Sequence, residues 1–197
     1  LGESMGGAVV MTAAADPEIA GMIDGAILSA PAVWGPSTQA WWQRSGLWLF
    51  AHTVPWMRPT GRGLGIQASD NIEMLRALGR DPKIIKKTRV DSVYGVVRLM
   101  DEALFSAPEL DLPLLILYGE RDEVIPKKPT KQMLRNLPEA GRAERRIALY
   151  PEGWHMLLRD LQAETVWQDI LAWIRRPDAP LPSGAEKGVE RFLKEKG

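Results

Sequence analysis

Short apolar runs alternate with helix-spaced apolar positions along the chain, the pattern of an α/β architecture with a mainly parallel sheet. Small and apolar residues from Met5 to Ala15 read as a buried helix. Asp16-Pro17 ends it, because proline disfavours helical backbone in the residue before it. Ala26 to Ala30, bounded by Asp24-Gly25 and Pro31, fits a short central strand. Pro113 to Tyr118 lacks polar alternation, as expected when helices cover both faces of a sheet. Arg145 to Tyr150 is less apolar and suits a sheet edge. Val166, Ile170, Trp173 and Ile174 recur at helical spacing and predict an amphipathic helix that Pro177 stops.

Between Pro31 and Pro108 no segment reads as a convincing strand. Ser69 or Asp70 is placed to cap a helix carrying Ile72, Leu75 and Leu78 and closed by Gly79. Asp81-Pro82 predicts another helix start, since proline suits the first helical position. Val93, Val96, Val97, Met100 and Leu104 share the spacing of a third helix. The region from about 31 to 108 therefore reads as a helical insertion between two strands. Pro177, Pro180 and Pro182 mark a proline-rich tail over about 177–197.

Composition narrows the function classes. The 197 residues carry 25 basic and 25 acidic side chains, so the cationic excess that drives nucleic-acid binding is missing. With no cysteine, disulfide scaffolds and cysteine-ligated zinc are excluded. The longest apolar stretch, around Trp48, is interrupted by His52 and Pro55 and falls short of a membrane span. No metal-ligand cluster or phosphate-cradling glycine loop stands out, so no cofactor and no metal are expected. The default location is cytoplasmic. Because the chain starts at Leu1 instead of Met, a signal peptide cannot be assessed.

The candidate chemistry begins at once. Gly2-Glu3-Ser4-Met5-Gly6 matches the G-x-S-x-G nucleophile elbow, which holds a serine on a sharp strand-to-helix turn. Residues two before and two after the serine must be small for the chain to pass itself, and Gly2 and Gly6 meet that need. The backbone N–H of Met5, at the helix start, would face the oxyanion of an acyl-transfer transition state. A serine hydroxyl needs a base to take its proton. Of the two histidines, His155 follows a predicted strand in the Pro/Gly-bearing segment Pro151 to His155, whereas His52 lies inside the insertion. The imidazole in turn needs a carboxylate to fix its tautomer. Asp122, on the loop after the Pro113 to Tyr118 strand, is the leading candidate, with Glu120 and Glu123 as close competitors. Asp111 precedes that strand and falls at the wrong end. The order Ser4, Asp122, His155 is that of α/β-hydrolases.

With these residues in place, the chain resembles the α/β-hydrolase superfamily, and within it the monoacylglycerol lipase, lysophospholipase and serine aminopeptidase-like group. The likeness rests on Gly2 to Gly7, on Leu114 to Pro126 and on Gly153-Trp154-His155, and it reaches to about Arg176. It implies an α/β-hydrolase fold with a helical cap corresponding to the 31–108 insertion. It also implies Ser4 as nucleophile, His155 as general acid/base, Asp122 as its orienter and Met5 as one oxyanion donor. In the family the elbow follows several strands, so the chain is expected to be the carboxyl-terminal part of one hydrolase domain, inactive or unstable alone. Five of the eight tryptophans, Trp34, Trp41, Trp42, Trp48 and Trp56, fall in the insertion and suit an apolar acyl chain or a lipid interface. The expected reaction is hydrolysis of a monoacylglycerol-like or lysophospholipid-like ester, with peripheral contact to a lipid surface as an option. Two alternatives are an amide-cleaving aminopeptidase, with Asp91, Asp101 or Glu102 holding the substrate amine, and a non-catalytic binding protein on the same scaffold.

Overall fold

The computed structural model describes residues 1–59, 65–139 and 144–195. Four parallel strands lie side by side in chain order: β1 (Gly2–Glu3), β2 (Ala26–Ser29), β3 (Leu114–Gly119) and β4 (Arg145–Tyr150). Register pairs Gly2 with Leu28, Leu28 with Ile116 and Ile116 with Ile147. Every residue of β2 and β3 is buried, which accounts for their continuous apolar character.

The period of two along β3 divides the interior into two layers. Leu114, Ile116 and Tyr118 face Ala8, Met11 and Ala14 of α1 (Met5–Ala14), Ala103 and Leu104 of α5 (Val90–Ser106) and Met133 and Leu134 of α6 (Lys127–Asn136). Leu115 and Leu117 face Val166, Ile170 and Trp173 of α7 (Ala163–Arg175), together with Leu157 and Leu181. Ile174, although in phase by spacing, lies on the outer side of α7 and is exposed.

Three local expectations differ from the structure. The helix α4 (Ile72–Arg80) is capped by neither Ser69 nor Asp70. Its N-cap is Asn71, whose side chain accepts from the Met74 N–H at 3.1 Å, and Gly79 lies within the last turn. No helix starts at Asp81-Pro82. The Asp81 carboxylate accepts from the Lys83 N–H at 2.8 Å, forming a local turn, and the following Ile84 and Ile85 are exposed and have no packed face to stabilise a helix. The segment after Pro177 is anchored to the domain. Leu181 is buried, and α8 (Val189–Lys194) sends Phe192 into the core beside Tyr118, with ring centroids 5.6 Å apart.

The described residues also form the short α2 (Pro17–Ala20) and α3 (Trp41–Thr53), the latter within the 31–108 region. Between β2 and β3 the described residues form helices, turns and loops. The last turns of α5 belong to the main core through Ala103 and Leu104, so that helix joins the region to the sheet. Among the described residues, no helix is long and apolar enough to cross a membrane.

Candidate active site

The loops leaving the carboxyl ends of β1, β3 and β4 converge, as they do at sites on open parallel sheets. Ser4 follows β1 directly and adopts φ 54° and ψ −118°, a conformation rarely populated by a residue with a Cβ. Its backbone is held on both sides. The Ser4 N–H donates to the Ser29 carbonyl at 2.9 Å, and the Ser4 carbonyl accepts from Ala32 N–H at 3.0 Å and Ala8 N–H at 3.2 Å. The turn is thus pinned between the neighbouring strand and the first turn of α1.

Space at this turn is set by Gly2 and Gly7. A Cβ on Gly2 would lie 2.5 Å from the Gly6 carbonyl carbon and 2.7 Å from the Gly7 nitrogen, and one on Gly7 would lie 2.9 Å from Pro31. Gly6, expected to be small for the same reason, has open space at its Cβ position. Its backbone, not its missing side chain, is what approaches Gly2.

His155 Nε2 lies 2.9 Å from the Ser4 hydroxyl, and His155 Nδ1 lies 2.8 Å from Asp122 Oδ2. His155 and Asp122 are both buried. The other carboxylate oxygen of Asp122 accepts from the N–H groups of Val124 at 2.7 Å and Ile125 at 2.9 Å, which fixes the carboxylate plane. With the Nδ1 proton directed at Asp122, Nε2 presents a lone pair to the serine. Met5 opens α1, so its N–H is one of the donors that a helix leaves without an internal partner.

The competing acids are engaged elsewhere. Glu120 pairs with Arg191 at 2.5 Å, and Glu123 accepts from the Gln67 N–H at 2.7 Å. His52 sits on α3, its Nδ1 2.7 Å from the Trp48 carbonyl and its ring stacked on Trp48 at 4.6 Å. It is not part of the converging group.

The insertion tryptophans divide. Trp34 is partly buried and packs against the main core. Trp41, Trp42, Trp48 and Trp56 are 72%, 61%, 52% and 65% exposed, and Leu49 and Phe50 are exposed as well. Of the five, only Trp48 lines the groove of about 310 Å³ between α3 and α5, together with Pro36, Leu47, Tyr94 and Val97. Residues 60–64, within the same region, lie outside the described residues.

Sequence reading missed a buried polar group beside the histidine. Asp160 accepts from the Ser69 hydroxyl at 2.6 Å and from the Trp154 N–H at 2.8 Å. Burial pushes its carboxyl above the ordinary value, partly opposed by those two hydrogen bonds. The partners are 91 residues apart, so no local spacing announces the pair.

A family model described as Hydrolase_4, serine aminopeptidase, S33, matches residues 1–162. The fold is that of the α/β-hydrolases. A monoacylglycerol lipase from Paleococcus ferrophilus superposes with a TM-score of 0.73 at 19% identity, covering 89% of this chain and 67% of that one. A soluble variant of the monoglyceride lipase of Saccharomyces cerevisiae gives 0.72 at 21% identity, covering 89% and 64%. By sequence, the chain is 32% identical over 77 residues to a putative carboxymethylenebutenolidase of Escherichia coli, covering 36% of this chain and 28% of that protein. It is 28% identical over 120 residues to the protein of the same description from Salmonella typhimurium, covering 57% and 42%. The chain thus spans less than half the length of these curated relatives.

Proposed function

Because the chain belongs to the serine aminopeptidase family S33 of hydrolases, we propose that it acts as a serine hydrolase on carboxylic esters with an apolar acyl chain, of the monoacylglycerol or lysophospholipid kind. The observation that carries this reading is the continuous relay from Ser4 Oγ through the His155 ring to Asp122, with both links under 3 Å.

In this reading Ser4 Oγ attacks the ester carbonyl while His155 Nε2 takes the hydroxyl proton. Asp122 stabilises the resulting imidazolium through Nδ1 and stays ionised itself. The carbonyl oxygen becomes negative, and the Met5 N–H at the head of α1 donates to it. Collapse expels the alcohol, which receives its proton from Nε2, and leaves an acyl-serine. Water then repeats the sequence: His155 removes its proton, the acid is released and Ser4 recovers its hydrogen.

The apolar surface supports a lipid-like substrate. Helix α3 carries four exposed aromatic side chains, Trp41, Trp42, Trp48 and Phe50, and no acidic residue. Trp41, Trp42, Trp48 and Leu49 fall within about 120° of the helix circumference, a face that suits the headgroup boundary of a lipid surface, where an indole N–H stays hydrated as its ring is buried.

An amide-cleaving reading is the second, and the family description favours it. Two of the acids that could hold a substrate amine already have partners. Asp101 accepts from the Ser37 N–H and hydroxyl, and the Arg89 hydrogen bond holds the Asp91 carboxyl down at about 2.

The test uses protein expressed from its complete coding sequence. A fluorophosphonate probe should label it, and Ser4→Ala should abolish the label. Turnover of a medium-chain monoacylglycerol well above that of an amino-acyl anilide is expected. The reverse preference would establish the amide reading, and no labelling would leave a binding scaffold without this chemistry.

A further inference from the structure

The two peptide N–H groups flanking His155 are both tied, directly or through one side chain, to a short segment of the insertion. On the upstream side, Trp154 N–H donates to Asp160 Oδ2, while Asp160 Oδ1 accepts from Ser69 Oγ. On the downstream side, Met156 N–H donates to the Ala68 carbonyl at 2.9 Å. The same segment makes three more links. Leu161 N–H donates to Asp70 at 2.8 Å, Asn71 Nδ2 donates to the Arg159 carbonyl at 3.0 Å, and Gln67 N–H donates to Glu123, next to Asp122. Residues 67–71 therefore lie across both loops that carry the acid and the base.

Ser69 is fully buried and Asp160 nearly so. A carboxylate taken out of water needs its partners, and these two donors are what Asp160 receives. What a carboxylate adds is direction: it holds the Gly153–Trp154 peptide plane one residue before His155, while the Ala68 carbonyl holds the His155–Met156 peptide after it, so the backbone that carries the imidazole is pinned on both sides.

We propose that Asp160, held by Ser69, is a positioning residue that sets the His155 imidazole between Ser4 and Asp122 and couples the insertion to the catalytic base. The proposal rests on the triad reading above, because it assigns His155 as that base. The carboxylate does not touch substrate. It acts through the Trp154 peptide, and Ser69 acts through the carboxylate. Displacement of segment 67–71, by a ligand on the insertion or by mutation, would then be felt at the imidazole.

Asp160→Asn is the informative variant. An amide offers one acceptor oxygen where the carboxylate offers two: if it keeps the Trp154 N–H, the Ser69 hydroxyl faces an NH2 donor and must turn its proton elsewhere, and if it keeps the hydroxyl, the Trp154 N–H faces that donor. Fluorophosphonate labelling of Ser4 and kcat for the best substrate should fall about 10²-fold, with KM changed less than about threefold. Ser69→Ala should show the same split more weakly, and the double variant should lose no more than Asp160→Asn alone, because the two act as one unit. Proton NMR at low temperature gives a readout independent of turnover: the far-downfield signal of the His155 Nδ1 proton, present in the parent, should broaden or shift in Asp160→Asn. If the parent itself fails to label but the Nδ1 signal still responds, the ester chemistry is wrong and the positioning stands. An unchanged Nδ1 signal, or a thermal midpoint that falls while kcat at a temperature well below it is retained, would reduce Asp160 to a structural clamp and overturn the proposal.

Discussion

Gly119 and Gly153 meet backbone to backbone where the acid loop leaves β3 and the histidine loop leaves β4. A Cβ on Gly153 would lie 3.2 Å from the Gly119 Cα, and the Arg121 N–H donates to the Gly153 carbonyl at 3.0 Å. The approach lets Asp122 and His155, 33 residues apart, share a hydrogen bond.

Gly119→Ala should break that approach. Its Cβ would stand 2.5 Å from the carbonyl oxygen of Trp154, the residue before His155, and a backbone oxygen cannot rotate away as a side chain can. The histidine loop must move. Stability should fall by about 1–3 kcal/mol, as for other overpacked sites. Labelling of Ser4 by a fluorophosphonate should fall about 10²-fold at temperatures where the variant is still folded. Urea unfolding and labelling kinetics on the same preparation check both, and a variant with parental kinetics would show that the loops move without consequence.

Asp122→Asn should act on the tautomer of His155. The oxygen that accepts from Val124 and Ile125 survives in the amide, so the Asn nitrogen is turned toward His155 Nδ1 and donates where the carboxylate accepted. Nδ1 must then present its lone pair, the proton shifts to Nε2, and Nε2 can no longer take the proton of Ser4. A loss of about 10³- to 10⁴-fold in kcat is expected, with little change in KM. Steady-state kinetics decide, and a loss of less than tenfold would point to another orienting acid.

The triad candidates were legible in the sequence because each follows a locally encoded element. The motif from Gly2 to Gly6 announces the elbow, and the apolar run Leu114 to Tyr118 before Asp122 and the less apolar Arg145 to Tyr150 before His155 mark strands whose ends lie together in a parallel sheet. What stayed hidden depends on distant pairs. Ser69 with Asp160 and Gly119 with Gly153 are separated by tens of residues, and a period of two or of 3.6 carries no trace of them. The role of Gly6 was misread for a related reason: the motif specifies a glycine there, but only coordinates reveal which Cβ position is blocked. The carboxyl-terminal segment looked like a tail because its prolines and charges dominate, while one aromatic residue anchors it.

That residue is Phe192, fully buried against Tyr118 and under the Lys131 ammonium, which lies 4.7 Å from its ring centre. Phe192→Ala should cost about 3–5 kcal/mol, the range for deleting a buried aromatic ring. The Lys131 ammonium would keep its hydrogen bond to the Glu195 carbonyl only if α8 stayed docked. Thermal unfolding together with proteolysis after residue 181 measures the loss. A shift of less than 1 kcal/mol would mean that α8 is an appendage after all.

Tyr150 should make the fold sensitive to alkali in a way that one substitution can isolate. Its hydroxyl is enclosed and donates to Asp169 Oδ2 at 2.8 Å, while Asp169 also accepts from the N–H and hydroxyl of Ser183, which ties residues after Pro177 to β4. Burial, and then the hydrogen bond to Asp169, push the Tyr150 phenol far above the ordinary tyrosine value of about 10. Burial does the same to Tyr118. Above pH 10 the unfolded chain gives up these protons and the folded chain keeps them. The unfolded state therefore binds fewer protons, and stability declines as pH rises, by about 1.4 kcal/mol per pH unit for each such group. Tyr150→Phe removes one of the two. It should lower stability at pH 8, where the lost hydrogen bond to a carboxylate counts for about 1.5–3 kcal/mol. Between pH 10 and about 12 its stability should then fall less steeply than that of the parent, so the two curves converge. Urea unfolding at half-unit pH steps would record this, whereas parallel curves would mean that Tyr150 ionises as readily in the folded protein as in the unfolded chain.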